Sequence, residues 1–374
     1  MSNQNQSVRS TESLFEPYTI GNLTLPSRVV MAPMTRGFSP NGVPGPDVAA
    51  YYRRRAENGV GLIITEGTLI NHPAATDNPN IPNFHGEAAL NGWAEVVRQV
   101  HEAGGKIMPQ IWHIGMTRPL GAEPNPEALP IGPSGLDLDG NVVTKPMTKD
   151  EIEQVIQAYA DAAANAKRLG FDGVEIHGAH GYLIDQFLWE RTNRRTDEYG
   201  GDMLKRARFA IEVVKAVRQA VGPDFPVAIR LSQWKTNQYE AKLADTPEKL
   251  GQLLTALSDA GVDIFHCSTR RFWEPEFEGS DLNFAGWAKK LTGKTVITVG
   301  SVGLDEVFTS LFTQGKGSGQ RDLEELLNRL EEHEFDLVAV GRALLADPQW
   351  AAKVRDGRFD ELAPFTPESL QTLV

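Results

Sequence analysis

Eight times along this chain, a short run of apolar, β-prone residues is followed by a longer segment with helical periodicity. The runs are RVVMAPM (28–34), GLIITEG (61–67), KIMPQIW (106–112), GVEIH (173–177), PVAIR (226–230), VDIFHCS (262–268), TVITVG (295–300) and FDLVAVG (335–341). Such near-continuous apolar runs suit parallel strands, whose connecting helices cover both faces of the sheet. The intervening segments supply those helices. One spans 47–58 and stops at Gly59, and the next carries Trp93, Val96, Val97 and Val100 at i, i+3, i+4, i+7. A third opens with the capping box of Thr148 and Glu151, carries Ile152, Val155, Ile156 and Tyr159 on one stripe, and ends at Gly170. Further helices are expected near 204–221, 246–260 and 282–291, in a split region after 300, and beyond Ala343. Eight strand-then-helix units close into an α/β fold of the (β/α)8 TIM barrel type. At ~150 residues per domain the length would allow two or three domains. No compositional break divides the chain, so residues 1–374 read as one barrel domain.

Two segments stand outside the eight units. YTIGNLTLPS (18–27) has strand-forming residues on both sides of Gly21-Asn22, the signal of an N-terminal β-hairpin cap that plugs the barrel bottom. Residues 114–147 hold six prolines and several glycines, too many residues for a plain βα connection, and read as a long loop excursion after strand 3. QGKGSG (314–319) follows no strand, so it reads as a flexible surface loop rather than a phosphate cradle. Residues 1–12 begin MSNQNQSVRS and read as a flexible polar tail with no apolar h-region; a cytoplasmic protein is expected. The net charge of −12 argues against nucleic-acid and membrane partners, since an acidic surface repels phosphate backbones and anionic lipid. The single cysteine, Cys267, excludes an intrachain disulfide and a cysteine-held metal or iron–sulfur site.

In a barrel of this kind the chemistry gathers at the C-terminal strand ends. Thr35, Gly67, Gln110, Trp112, His177, His180, Arg230, Gly300, Ser301, Gly341 and Arg342 all fall there. Alternation puts Val174 and Ile176 on the helix side, which turns Glu175 and His177 inward; Val227 and Ile229 likewise leave Arg230 inward. Gly300-Ser301 and Gly341-Arg342, on adjacent strand ends, suit a phosphate: glycine admits backbone N–H groups and arginine adds a charge-assisted fork. The plainer alternative is two glycine turns beside a surface arginine. Arg230 calls for an anionic or carbonyl-rich ligand, or else an internal ion pair with Glu175. The pair His177 and His180 admits three readings. The first is two N–H donors converging on one substrate oxygen, with Tyr182 as an acid. The second is two structural histidines, and the third a metal site, which lacks every usual ligand spacing. Trp112, Phe272 and Trp273 are candidates for an aromatic pocket wall or for core, and Arg270 and Arg271 for rim charges, with a role toward an anionic nicotinamide conceivable.

The motifs APMTR (32–36), TEG (65–67), PQIWHIG (109–115), HGAHGYLIDQFL (177–188), NRRTDEYGG (193–201), RLS (230–232), TVGSVG (298–303) and VGRALLADP (340–348) together resemble the Old Yellow Enzyme family. These are FMN-dependent NADH:flavin oxidoreductases acting as ene-reductases, and the match runs in order over nearly the whole chain. The resemblance implies FMN at the barrel mouth, reduced by NADH or NADPH. Pro33, Thr35, Gly67 and Gln110 would meet the isoalloxazine edge, with Thr35 near the flavin O4. Arg230 would stand at the pyrimidine end, and Gly300, Ser301, Gly341 and Arg342 would hold the phosphate. His177 and His180 would bind the oxygen of an enone, enal or nitro substrate, and Tyr182 would protonate the carbon opposite the hydride. Many relatives carry Asn where His180 stands. Thr35, in place of the Cys of a thermophilic-type subgroup, is similar to the yeast and plant type. No metal is implied, and the partners are small molecules for a monomer or homodimer.

The sequence departs from the family pattern in two places. PFTPESLQTLV lacks the C-terminal tyrosine that some members hold over the substrate, and RLSQWK replaces the common RLSP, so Trp234 is expected to reshape the pocket. A phosphosugar lyase or aldolase on the same barrel would need a lysine deep at a strand end; DIFHCS has none, and Lys235 lies past strand five in a loop. A silent flavin-binding barrel is disfavoured by the intact set of His177, His180 and Tyr182.

Overall fold

Alternating side chains on very short strands sort this chain into an outer and an inner core. The computed structural model describes residues 9–307 and 309–374. Strands β1 (Tyr18–Ile20) and β2 (Leu23–Leu25) pair as an antiparallel hairpin. They are followed by β3 (Val29–Met31), β4 (Leu62–Leu69), β5 (Lys106–Trp112), β6 (Val174–His177), β7 (Val227–Ser232), β8 (Ile264–Ser268), β9 (Thr295–Val299) and β10 (Leu337–Val340). Among the described residues β3 to β10 are all parallel, and β10 pairs with β3 to close the barrel. The (β/α)8 expectation therefore holds.

The residues that face the surrounding helices form one large cluster, with Val29, Met31, Ile63, Ile107, Val174, Ile176, Val227, Ile229, Val296 and Val338 among them. The alternate positions Val30, Leu62, Ile64, Met108, Ala228, Ile264, Ile297, Leu337 and Ala339 fill the inside, and Ile20, Leu23 and Leu25 of the hairpin pack into the same inner cluster. The hairpin thus seals the N-terminal end, as the pattern around Gly21-Asn22 implied. With an apolar lower barrel and a sealed bottom, the inward residues that line a cavity lie at the C-terminal end.

The helices form where the periodic stripes place them. Glu87–Glu102 buries Trp93, Val96, Val97 and Val100, and Lys149–Arg168 opens on the complete Thr148–Glu151 capping box. The split region after β9 is Thr309–Gln314 and Glu324–Glu331. No helix among the described residues is long and apolar enough to cross a membrane.

Two local readings change, while the 114–147 loop excursion is present as expected. Residues 1–8 of the expected polar tail lie outside the described residues, whereas Arg9 pairs with Glu331 and Thr11 is buried, its hydroxyl donating to the Val354 carbonyl. The QGKGSG segment is tied at Ser318, which exchanges backbone hydrogen bonds with Phe365 at 2.9 and 3.2 Å. The 114–147 excursion is pinned by Arg118, whose buried guanidinium donates to the carbonyls of Thr76, Ala122, Asn125 and Ala128. One arginine with five fixed donors can replace the ladder that a proline-rich segment cannot form.

Candidate active site

Above the apolar layers the inward positions turn polar at once. Strand register sets Gln110 beside Glu175, His177 beside Arg230, Arg230 beside His266, and Ser232 beside Ser268. Gln110, His177, Arg230 and Ser268 line a cavity of ≈ 600 Å³ at the C-terminal end, a size typical of a cofactor site. Its wall includes every residue placed there from sequence: Pro33, Thr35, Gly67, Gln110, Trp112, His177, His180, Tyr182, Arg230, Gly300, Ser301, Gly341 and Arg342. Phe272 is instead buried in the outer core, and Trp273 lies under the Arg321 guanidinium, so neither walls the cavity. The aromatic wall comes from Trp112, Trp234, Tyr239 and Phe365.

Arg230 does not form the internal ion pair with Glu175. The Glu175 carboxylate accepts from Gln110 Nε2 at 2.9 Å and pairs with His266 Nδ1 at 2.7 Å. Arg230 is left buried with Nε unpartnered, and burial lowers its pKa to about 10. Trp112 Nε1 is a second buried donor without a partner. An unpaired buried guanidinium is costly, so this cavity is built for a ligand rich in carbonyls or negative charge. Gln110 spends its amide nitrogen on Glu175, which leaves its carbonyl oxygen as an acceptor for the same ligand.

Two glycines are required by contact. A Cβ on Gly67 would lie 2.3 Å from the Trp112 indole, and one on Gly300 would lie 2.5 Å from the Thr269 hydroxyl. Next to Gly300, Ser301 adopts a φ of 49°, uncommon for a side chain outside glycine. Its hydroxyl is 3.3 Å from Arg342 Nη2, which also donates to the Glu306 carbonyl at 2.6 Å. The two strand ends therefore converge, bringing a mostly buried arginine to the Gly300-Ser301 and Gly341 turns. This is a donor set that fits a phosphate.

At the other end of the cavity the His177 ring stacks on Trp112, with centroids 5.7 Å apart and 15° between planes. His180 and Tyr182 stand edge-on to it at 5.3 and 5.1 Å. His177 Nδ1 accepts the Ala179 N–H, so its proton sits on Nε2. His180 Nε2 is 2.8 Å from the Ser268 hydroxyl, and its ring stacks on Trp234 at 4.4 Å. Burial holds both imidazoles well below the ordinary histidine value, and Arg230 reinforces the effect. Both are therefore neutral. Burial also raises the Tyr182 phenol, against a hydrogen bond with Thr236, so it keeps its proton. Among the described residues no group of three or more metal-ligating side chains is present.

The sequence reading missed Ser268, Lys235 and Glu66. Ser268 shares the inward parity of Ile264 and His266, a signal that was available in VDIFHCS. Lys235 lies in the loop after β7, as expected, but is a fully buried cation paired with Asp185, and it does not line the cavity, which removes it as a Schiff-base lysine. Glu66 sits beside the bulge between Ile64 and Gly67, where parity is lost. Its carboxylate accepts the N–H groups of Arg36 and Gly37 at 3.0 and 3.2 Å, fixing the loop just beyond Thr35.

Burial pushes Glu66 up from 4.5 to about 7, although the two N–H groups and Arg36 oppose the shift. A carboxyl whose folded value exceeds its unfolded one gives stability that is full below pH 4.5 and lost as pH rises to about 7. Glu66→Gln should therefore remove about 3 kcal/mol of pH-dependent decline between those limits. Urea unfolding from pH 4.5 to 8 reads this, and a slope equal to the parent's would contradict it.

The NADH:flavin oxidoreductase / NADH oxidase family model matches residues 13–361. The chain is 36% identical over 341 residues to 12-oxophytodienoate reductase 1 of Oryza sativa subsp. japonica, covering 90% of this chain and 84% of that protein. It is 35% identical over 361 residues to an NADH oxidase of Thermoanaerobacter brockii, spanning 94% of this chain but only 52% of that longer protein. Among solved structures it is similar to morphinone reductase in complex with tetrahydroNAD, with TM-score 0.79, 32% identity, and coverage of 96% of this chain and 94% of that one. The orphaned Arg230 and Trp112 donors and the paired glycine turns fit the flavin nucleotide that this family uses. The chain belongs to the NADH:flavin oxidoreductase / NADH oxidase family, that of the Old Yellow Enzymes, and is an FMN-dependent oxidoreductase that draws its electrons from a reduced nicotinamide.

Proposed function

We propose that the enzyme reduces the C=C bond of α,β-unsaturated carbonyl or nitro compounds, with His177 and His180 as the donors to the activating oxygen and Tyr182 as the proton source. The observation that carries this reading is two neutral imidazoles set edge-on at 5.3 Å in the cavity that also holds Arg230. A neutral imidazole donates a hydrogen bond without losing its proton, and two of them stabilise negative charge that gathers on the substrate oxygen as the β-carbon accepts hydride. Bound FMN supplies that hydride after reduction by NADH or NADPH.

His177 donates through Nε2, since Ala179 occupies Nδ1. In this reading His180 donates through Nδ1, and the Ser268 hydroxyl, 2.8 Å from Nε2, donates to that nitrogen. Tyr182 keeps its proton because burial raises its phenol, and hands it to the α-carbon. Pro33, Thr35, Gly67 and Gln110 would border the flavin ring, Arg230 its pyrimidine end, and Gly300, Ser301, Gly341 and Arg342 its phosphate. Trp112 and Trp234 favour flat, conjugated substrates. A monomer or homodimer working on small molecules in the cytoplasm fits this role.

The test is anaerobic. The purified yellow protein should bleach on adding NADH or NADPH and recover its colour on adding cyclohexenone, with cyclohexanone formed in equal amount. A reduced protein that no enone or nitroalkene reoxidises would overturn the proposal.

A further inference from the structure

Behind the donor loop lies a charge pair that the reaction does not use. Lys235 Nζ is 2.8 Å from Asp185 Oδ1, and both side chains are 0% exposed. Taking two charges out of water is expensive unless each is paired and hydrogen-bonded further, and both are. Asp185 Oδ2 accepts the N–H of Gly181 at 2.8 Å. Lys235 Nζ also reaches the Ser232 carbonyl at 3.3 Å, and the Ser232 hydroxyl accepts the N–H of His180 at 2.8 Å. The His180 carbonyl accepts from Thr236 N at 3.1 Å and Thr236 Oγ1 at 2.8 Å. Every polar backbone atom of His180, and the next N–H along the chain, is thus secured by this local frame.

The turn needs such a frame. His180 has φ 64° and Gly181 has φ 82°. A residue with a side chain holds the left-handed region only where its surroundings impose it. A relaxed turn would move the His180 ring off Ser268 and out of line with His177.

We propose that the Lys235–Asp185 pair is the positioning device of the donor loop: Lys235 anchors Asp185, Asp185 pins the Gly181 N–H, and the His180 ring is thereby kept in the cavity. The inference rests on the donor-pair reading given above. Asp185 is the acceptor at the turn, and Lys235 opposes the pull of burial toward the neutral acid, a poorer acceptor.

The test uses the FMN-loaded full-length chain, with phenol as the probe of the two donors and cyclohexenone as substrate. Lys235→Met should weaken phenol binding on the order of ten- to a hundredfold and raise the KM for cyclohexenone more than it lowers kcat. Flavin content should stay at the parental level. Two charge-free double variants keep the test decisive if that single variant does not fold. Lys235→Met with Asp185→Asn retains an acceptor for Gly181 and should bind phenol nearly as the parent does. Lys235→Met with Asp185→Leu has none and should be as weak as the working single variant is expected to be. Equal phenol affinity in the two doubles, or parental affinity in Lys235→Met, would overturn the inference. A parent protein that itself binds no phenol would overturn the donor-pair reading instead.

Discussion

Replacing His177 and His180 together by alanine is expected to lower enone turnover by about 10³-fold or more while FMN stays bound. The size follows from what the two rings do. In the proposed role each presents a neutral N–H to the substrate oxygen, and losing one such donor typically costs about 10²–10³ in rate. Burial, with the Arg230 charge close by, holds both imidazoles well below the ordinary histidine value and so favours their neutral form. Phenol binding should vanish in the same variant, because a phenol oxygen uses the same two donors. Flavin content should not change, since Arg230, Gln110 and the Gly300 and Gly341 turns lie at other strand ends. Steady-state kinetics with cyclohexenone and a phenol titration provide the readouts. Retained phenol affinity would remove both histidines from the oxygen-binding role.

Tyr182→Phe should separate the two halves of the reaction. Flavin reduction by NADH or NADPH needs no proton from Tyr182 and should run at the parental rate, whereas enone reduction should slow by about 10²–10⁴-fold, the usual worth of a positioned general acid. The ring sits edge-on to Trp112 at 4.9 Å and to His177 at 5.1 Å, contacts that phenylalanine reproduces. The loss would therefore report the hydroxyl and not the packing. Stopped-flow traces of each half-reaction read this, and an unchanged oxidative half would assign the proton elsewhere.

Much of this site was legible before any coordinates, for one physical reason. On a parallel barrel a single parity rule sorts each strand, so Val174 and Ile176 outward forces Glu175 and His177 inward, as observed. The same rule put Arg230 in the cavity, and the hairpin around Gly21-Asn22 was readable from turn chemistry alone. What sequence hid depends on long-range partners. Glu175 offered itself as a counter-ion for Arg230, but Gln110 and His266 from the flanking strands claimed it. Phe272 and Trp273 left pocket wall and core both open, and they fall in or against the outer core, while Trp234 and Tyr239 from the loop after β7 line the cavity. From the C-terminal segment, which lacks a tyrosine, Phe365 and Leu370 reach the cavity wall, Phe365 beside Arg342. Lys235 gave no local sign of its burial, because its partner Asp185 lies 50 residues earlier.

In the proposed arrangement His177 Nε2 and His180 Nδ1 converge on one ligand oxygen in the cavity that takes the flavin. A crystal structure of the FMN-loaded protein soaked with phenol tests it most directly. The phenol oxygen is expected within hydrogen-bond distance of both imidazoles, with Ser268 still against His180 Nε2. Phenol bound elsewhere, or an oxygen met by neither ring, would contradict it.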